Sequence, residues 1–235
     1  MNVEGSVAAR MEHTDDREHP HAQTGRVRPL LLASSNLAKL REYHALAASG
    51  PAGSGVDLDL LPGFDQLTQF EESAPTFAEN AAGKARYYSQ FAPQPVFADD
   101  SGLIVPALGG APGVHSARYA GPNASDAERV GKLLHELRAQ NCADRRARFV
   151  CVIALAERGQ VLGVFSAAAE GEILDQPHGV GGFGYDPVFY FPPLNKTFAE
   201  ITREEKNLYS HRGQAFRKLQ EFLAFTVAVV PSRSS

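Results

Sequence analysis

Apolar positions along the chain follow two rhythms, and they predict alternating strands and helices. Leu30-Leu31-Leu32-Ala33 is an unbroken apolar run, the pattern of a buried strand. After polar Ser34-Ser35-Asn36, residues Leu37, Leu40, His44 and Ala47 recur at helical spacing. Strand, polar turn and helix in that order open an α/β fold. Residues 51–55 read as a turn and 58–61 as a second strand. Thr76-Phe77-Ala78-Glu79 and Ser125-Asp126-Ala127-Glu128 each have the capping-box pattern, and each predicts a helix start. The first of these helices runs to about Gln90. Residues 95–98 form a short strand expected to end at Asp99. Two partly alternating runs, 147–156 and 160–169, flank Glu157-Arg158-Gly159 as a hairpin. A last helix starts near Gly213, with Phe216, Leu219, Phe222 and Leu223 as its core stripe. A hairpin after βα alternation implies a mixed rather than a purely parallel sheet.

Residues 1–26 break this patterning. They are polar, carry both charges and lack periodicity, so they are expected to form a disordered tail before a domain spanning 27–230. His13, His19 and His21 in this segment read as solvated rather than as a metal tract. The chain has 235 residues, 43% of them hydrophobic, enough for one sizeable core. A net charge of -4 argues against coating nucleic acid, while leaving room for a local basic pocket. The two cysteines, Cys142 and Cys151, form no CxxC pair and suggest neither a disulfide framework nor a zinc site. No apolar stretch reaches the ~20 residues of a membrane span, and the start has no apolar signal core. A cytoplasmic protein is the expectation.

Several short motifs could carry chemistry. Asp99-Asp100-Ser101-Gly102 sits at an expected strand end, where oxygen ligands suit Mg²⁺. By itself it reads equally well as a solvated turn. Glu71-Glu72 alone is a charged loop, and gains meaning only if the fold brings it to Asp100. Ser34 to Lys39 joins a strand to a helix N-terminus, which attracts anions, though a plain N-cap explains it too. It lacks the Gly-rich run of a Walker A loop. Gly179-Val180-Gly181-Gly182-Phe183-Gly184 fits GxGxxG, but Tyr185-Asp186-Pro187 follows where a dinucleotide site needs a helix. Such a loop can approach a ligand closely, and Phe183 or Tyr185 can stack on a base. Lys206, His211 and Arg212 read as a charged surface helix start, or as donors for phosphates and base oxygens. Asn80 and Lys84 share a helix face. No HExxH or GxSxG is present to anchor a zinc protease or a serine hydrolase.

Taken together, LLLASSNLAKLRE, EESAPTFAENAAGKAR, FADDSGLIVPALGGAPGVHSARYAG, GGFGYDPVF and TREEKNLYSHRGQA resemble the inosine triphosphate pyrophosphatase family, in the family's order and over most of residues 30–220. The resemblance implies a two-lobed α/β fold, with a long twisted mixed sheet flanked by helices and an active cleft between the lobes. It also implies a homodimer, a purine nucleoside triphosphate substrate and Mg²⁺. On that pattern Ser34, Ser35, Asn36, Leu37, Ala38 and Lys39 cradle the triphosphate. Glu71 and Asp100 hold the metal, Asp100 is also the general base, and Lys84 is an electrostatic helper. Ser101 touches substrate. Phe183, Gly184, Tyr185 and Asp186 form the nucleoside pocket, completed by Lys206, His211 and Arg212. Ser35 stands where glycine is usual, Ser73-Ala74 where Thr-Gly is frequent, and Pro106 where aspartate is frequent.

The implied reaction is hydrolysis between the α- and β-phosphates of ITP, dITP or XTP, giving a monophosphate and pyrophosphate. Two other readings stand beside it. One is a pyrophosphatase for modified pyrimidine or methylated nucleotides; the other is a nucleotide-binding module without turnover, against which the acids at Glu71 and Asp100 argue.

Overall fold

The computed structural model describes residues 28–49, 56–141 and 143–229, so the expected tail (1–26) and the expected turn at 51–55 lie outside the described residues. In chain order the elements are β1 (Arg28–Leu32), α1 (Leu37–Ala48), β2 (Val56–Leu60), α2 (Phe77–Tyr88) and β3 (Val96–Ile104). Then come α3 (Asp126–Ala139), β4 (Arg146–Glu157), β5 (Gln160–Ile173), β6 (Phe189–Phe191), β7 (Lys196–Thr197), α4 (Arg203–Tyr209) and α5 (His211–Val229). The strands form one mixed sheet in the order β2-β1-β3-β4-β5-β6-β7. β1 runs parallel to both β2 and β3, and the remaining neighbours are antiparallel. The mixed α/β architecture read from the sequence is the one observed. Among the described residues no helix is long and apolar enough to cross a membrane.

Strand alternation distributes the helices. Leu30, Leu32 and Phe97 face one side, where Tyr43 and Leu46 of α1 and Phe216 and Leu219 of α5 cover them. Leu31, Val96 and Ala98 face the other side, under Phe77, Ala81 and Ala85 of α2. The chain therefore leaves β1 on one face for β2 and returns on the opposite face to β3. That is a topological switch point, and such points open crevices beyond the carboxyl ends of the strands. A third cluster, including Leu103, Leu133, Phe149 and Phe189, fills the far part of the sheet beneath α3. In the hairpin, Arg158 and Gly159 both have positive φ (49° and 79°), as a two-residue turn between right-twisted strands requires.

Four local expectations need correction. β3 does not end at Asp99 but continues to Ile104, because β4 pairs with it at every position from Val96↔Ala156 to Ile104↔Arg148. Asp99-Asp100-Ser101-Gly102 is thus strand, not loop. The buried residues of α1 are Tyr43 and Leu46, with Leu40 and Ala47 partly buried beside them, whereas Leu37 is 66% exposed and His44 is exposed too. At the start of α2 the Thr76 hydroxyl accepts the Glu79 amide (3.2 Å) and donates to the Glu79 carboxylate (2.6 Å), so that carboxylate binds the hydroxyl rather than the N-cap amide. α5 begins at His211, two residues before the expected start, and the separate short helix α4 precedes it, opened by a full capping box at Thr202 and Glu205. Thr202-Arg203-Glu204-Glu205 carries that signal in the sequence.

Candidate active site

A cleft of about 320 Å³ opens where the β1–β3 pairing stops. β1 contacts β3 only through Leu31↔Val96 and Leu32↔Phe97, so the next residues of β3 have lost one neighbour strand. Asp99 and Asp100 lie just past that point. Being consecutive in a strand, their side chains point to opposite faces of the sheet.

Asp99 faces α1 and α5. Its Oδ2 lies 2.9 Å from Lys39 Nζ, accepts the Ser101 hydroxyl at 3.2 Å and is 3.9 Å from Arg212 Nε. It is 1% exposed, and its Oδ1 has no hydrogen-bond partner. Burial would raise its pKa, but Lys39, then Arg212 and Lys84 outweigh burial and hold the carboxyl well below the usual carboxylate range. Asp99 is therefore a permanent anion.

Asp100 faces α2. Asn80 Nδ2 donates to its Oδ2 at 3.0 Å. Burial and then the negative charge of Glu72 push its carboxyl up to about 6, against the opposing pull of Asn80, Lys39 and Lys84. Lys84, four residues after Asn80 on the same helix face, pairs with Glu72. Glu72 lines the cleft, and its carbonyl accepts from Arg118 (3.1 Å). Glu71 is exposed and is not among the lining residues; its carbonyl accepts the Ser73 amide (3.1 Å). Of the acidic pair, the structure brings Glu72 to Asp100, not Glu71. Among the described residues no group of three or more His, Cys, Asp or Glu could hold a metal.

The phosphate-loop candidates divide. Ser34, Ser35, Asn36 and Lys39 line the cleft; Leu37 and Ala38 do not. The Asn36 side chain caps α1, accepting from the Ala38 and Lys39 amides at 2.9 and 3.1 Å. Both the N-cap role and the place at the cleft therefore belong to one segment.

Lys206, His211 and Arg212 are not a charged surface: they are 8%, 4% and 3% exposed. Arg212 donates to Glu42 Oε2 (2.5 Å) and Ser101 Oγ (2.9 Å), and Lys206 binds Asp186 Oδ2 (2.5 Å) and Glu42 Oε1 (2.7 Å). Glu42 comes from α1, three residues after Lys39, and was not singled out from the sequence. Only its helical spacing to Lys39 hints at it. Burial would raise its pKa, but Arg212 and Lys206 lower it below the usual value. The His211 ring stacks on Phe149, with centroids 4.7 Å apart. Burial first, then Arg212 and Lys206, hold the imidazole well below the usual histidine range, so it is neutral at physiological pH. It presents one donor and one acceptor, not a charge.

The Gly-rich loop lines another side of the cleft. No α-helix follows it, only a short 3-10 turn at Asp186–Val188. Gly182 (φ 71°) and Gly184 (φ 65°) adopt left-handed conformations. These let Asp186 accept the Phe183 amide (2.8 Å), and Asp126 accept the Gly184 amide (2.6 Å). Asp126 is a second participant the sequence did not reveal, since its place in a capping pattern accounts for it fully. Phe183 lies below two cations, 5.1 Å from Lys206 Nζ and 5.5 Å from Arg212 Cζ. Tyr185 is 4% exposed and donates to the Ser116 carbonyl (2.9 Å), so its ring packs in the core and Phe183 alone is left for stacking. Gly102 lets the segment around Ser116 cross β3: a Cβ there would clash with Ser116 Oγ and the Gly113 carbonyl.

Several cations along one cleft, two carboxylates facing one space and an aromatic ring beneath paired cations define a nucleotide-hydrolase type of site. The chain belongs to the Ham1 family, which it matches over residues 30–222. A dITP/XTP pyrophosphatase of Geobacillus kaustophilus is 47% identical over 195 residues, 83% of this chain and 94% of that protein. One of Gloeobacter violaceus is 49% identical over 193 residues, 82% and 93% of the two chains. The solved structure of a HAM1 protein from Coxiella burnetii superimposes with a TM-score of 0.75 at 43% identity, over 85% of this chain and all (100%) of that one.

Proposed function

We propose that this protein hydrolyses non-canonical purine nucleoside triphosphates, such as dITP, ITP and XTP, to the monophosphate and pyrophosphate, and so removes them from the nucleotide pool. The observation that carries the proposal is Asp100, a buried carboxylate that shares one cleft with a second carboxylate, Glu72, and with Lys39 and Lys84, beside the segment Ser34 to Lys39. Burial strengthens that carboxylate as a proton acceptor for water.

The donor set suits Mg²⁺. Asp100 and Glu72 are hard oxygen donors that repel one another across one cleft, and Mg²⁺ is usually held by one or two carboxylates with substrate phosphates completing the shell. Asp100 and Glu72 would hold it, with Glu72 taking the part expected of Glu71. When bound, it neutralises phosphate charge and acidifies the attacking water. Asp100 takes the proton of that water. Asn80 fixes the carboxylate by its 3.0 Å hydrogen bond. Lys39 and Lys84 offset the charge that builds on the phosphates. Ser34, Ser35 and Asn36 line the phosphate end, and Phe183 stacks on the base. Arg212, Lys206 and neutral His211 supply donors on the base side, which favours a 6-keto purine over adenine. A buried polar group left unpaired by the wrong base costs about 1–3 kcal/mol.

A homodimer and a cytoplasmic setting belong to the same proposal, on the strength of the family resemblance. Purified protein with Mg²⁺ is given ITP, dITP, XTP, GTP, ATP and UTP, and pyrophosphate and single phosphate are measured separately. Preferential release of pyrophosphate from the first three is expected. Release of single phosphates, or equal rates on UTP, would overturn it.

A further inference from the structure

The candidate phosphate and nucleoside ends of the cleft are joined by an unbroken polar chain through Asp99. Lys39 binds Asp99 Oδ2 (2.9 Å), the Ser101 hydroxyl donates to the same oxygen (3.2 Å), Arg212 donates to that hydroxyl (2.9 Å), and Glu42 ties Arg212 to Lys206. Two buried atoms along it lack a hydrogen-bond partner: Asp99 Oδ1 and Arg212 Nε. Arg212 Nε lies 3.9 Å from Asp99 Oδ2, about 1 Å longer than the usual N–H···O separation. Each terminal nitrogen of the guanidinium already makes a bond, to Glu42 and to Ser101, whereas Nε makes none.

We infer that Asp99 is a positioning residue that exchanges partners, releasing Lys39 to the substrate's polyphosphate and taking Arg212 Nε instead, and so couples phosphate occupancy to the shape of the base pocket. The inference rests on the proposed function for the identity of the two ligand ends. Its physical basis is the unequal mobility of the two cations. Lys39 lines the cleft, and its side chain keeps 15% exposure, so a polyanion can reach its ammonium. Asp99, 1% exposed, has no access to water with which to replace the lost donor. A buried carboxylate stripped of its counter-ion carries a large penalty, and the nearest relief is the unpaired Arg212 Nε. Closing that gap shifts the guanidinium that sits 5.5 Å from the Phe183 ring. Base recognition is then completed only when a polyphosphate is present. Monophosphate product without pyrophosphate is held less tightly.

The test separates the two ends with inosine and inorganic tripolyphosphate as independent probes, their affinities measured by calorimetry on the full chain in the absence of metal. In the wild type, saturating tripolyphosphate is expected to tighten inosine binding by about five- to tenfold, at the lower end of ordinary coupling between sites, with the reciprocal effect on tripolyphosphate. Lys39→Met leaves Asp99 to Arg212 permanently. It is expected to bind inosine tighter than the wild type without tripolyphosphate, and to lose the cooperativity. A merely structural role for Lys39 would weaken inosine binding or leave it unchanged, and either result overturns the exchange. Independent binding of the two probes to the wild type, with pyrophosphate release from ITP intact, also overturns it while sparing the functional proposal. Failure of the wild type to release pyrophosphate from any purine nucleotide overturns both.

Discussion

The two faces of β3 hold the same residue type one position apart and turn it to opposite ends. On the α1/α5 face Asp99 is enclosed by Lys39 and Arg212 and stays ionised. On the α2 face Asp100 meets Asn80 and the like charge of Glu72, and its carboxyl rises to about 6. Strand alternation alone separates them. A carboxylate's role here depends less on its neighbours in sequence than on which helix the sheet presents to it.

The contrast can be broken most severely at Asp100. Asp100→Asn keeps the shape and the Asn80 neighbour but removes the proton acceptor, so kcat for pyrophosphate release should fall about 10²–10⁴-fold. An unchanged rate in a steady-state assay would discard Asp100 as base. Asp99→Asn should act on stability instead. It leaves Arg212 facing a neutral amide, and urea unfolding should show a loss of about 3 kcal/mol, at the low end for a broken buried pair because Lys39 can turn to solvent.

The pH dependence of the metal-free protein sharpens the contrast further. Raised to about 6, Asp100 binds its proton more tightly in the folded state than in the unfolded chain. Its contribution is complete below about pH 4 and is lost as the pH climbs to about 6, a change of about 3 kcal/mol. Asp99, lowered, contributes above about pH 4, and that contribution is lost as the pH falls through its depressed folded-state value. Thermal unfolding in EDTA between about pH 4 and pH 7 should therefore show a decline in the wild type that Asp100→Asn flattens. A variant curve parallel to the wild type would contradict the assignment. The smallest effect distinguishes the two glutamates. Loss of an outer-shell partner alone costs about 10–100-fold in metal affinity, so Glu72→Gln should raise the Mg²⁺ needed for half-maximal rate at least about tenfold. Glu71→Gln, exposed and off the cleft, should leave that Mg²⁺ titration where it is.

Local signals in the chain carried the fold a long way. The apolar run at Leu30–Ala33, the capping pairs at Thr76 and Ser125 and the Arg158-Gly159 turn each act over a few residues, and each produced the element expected of it. The stripe of α1 was misread because Leu37 follows the helical period yet sits on the outer side of the first turn. The strand through Asp99-Gly102 was missed because polar residues there are held by pairing to β4, a partner roughly 50 residues away in the chain.

The sequence by itself determined the α/β class, the family resemblance and most of the residues around the cleft, because helix caps, turns and motif order are local properties. Only the tertiary structure decided where each acid points and what surrounds it. Asp99 and Asp100 diverge because a pleated strand alternates, and of the acidic pair it is Glu72 that lines the cleft, paired with Lys84 on the facing helix. His211 is neutral because burial and two neighbouring cations disfavour its charged form. Charge, burial and coupling are sums over neighbours drawn from α1, α2, β3 and α5, and those sums exist only once the chain has closed around them.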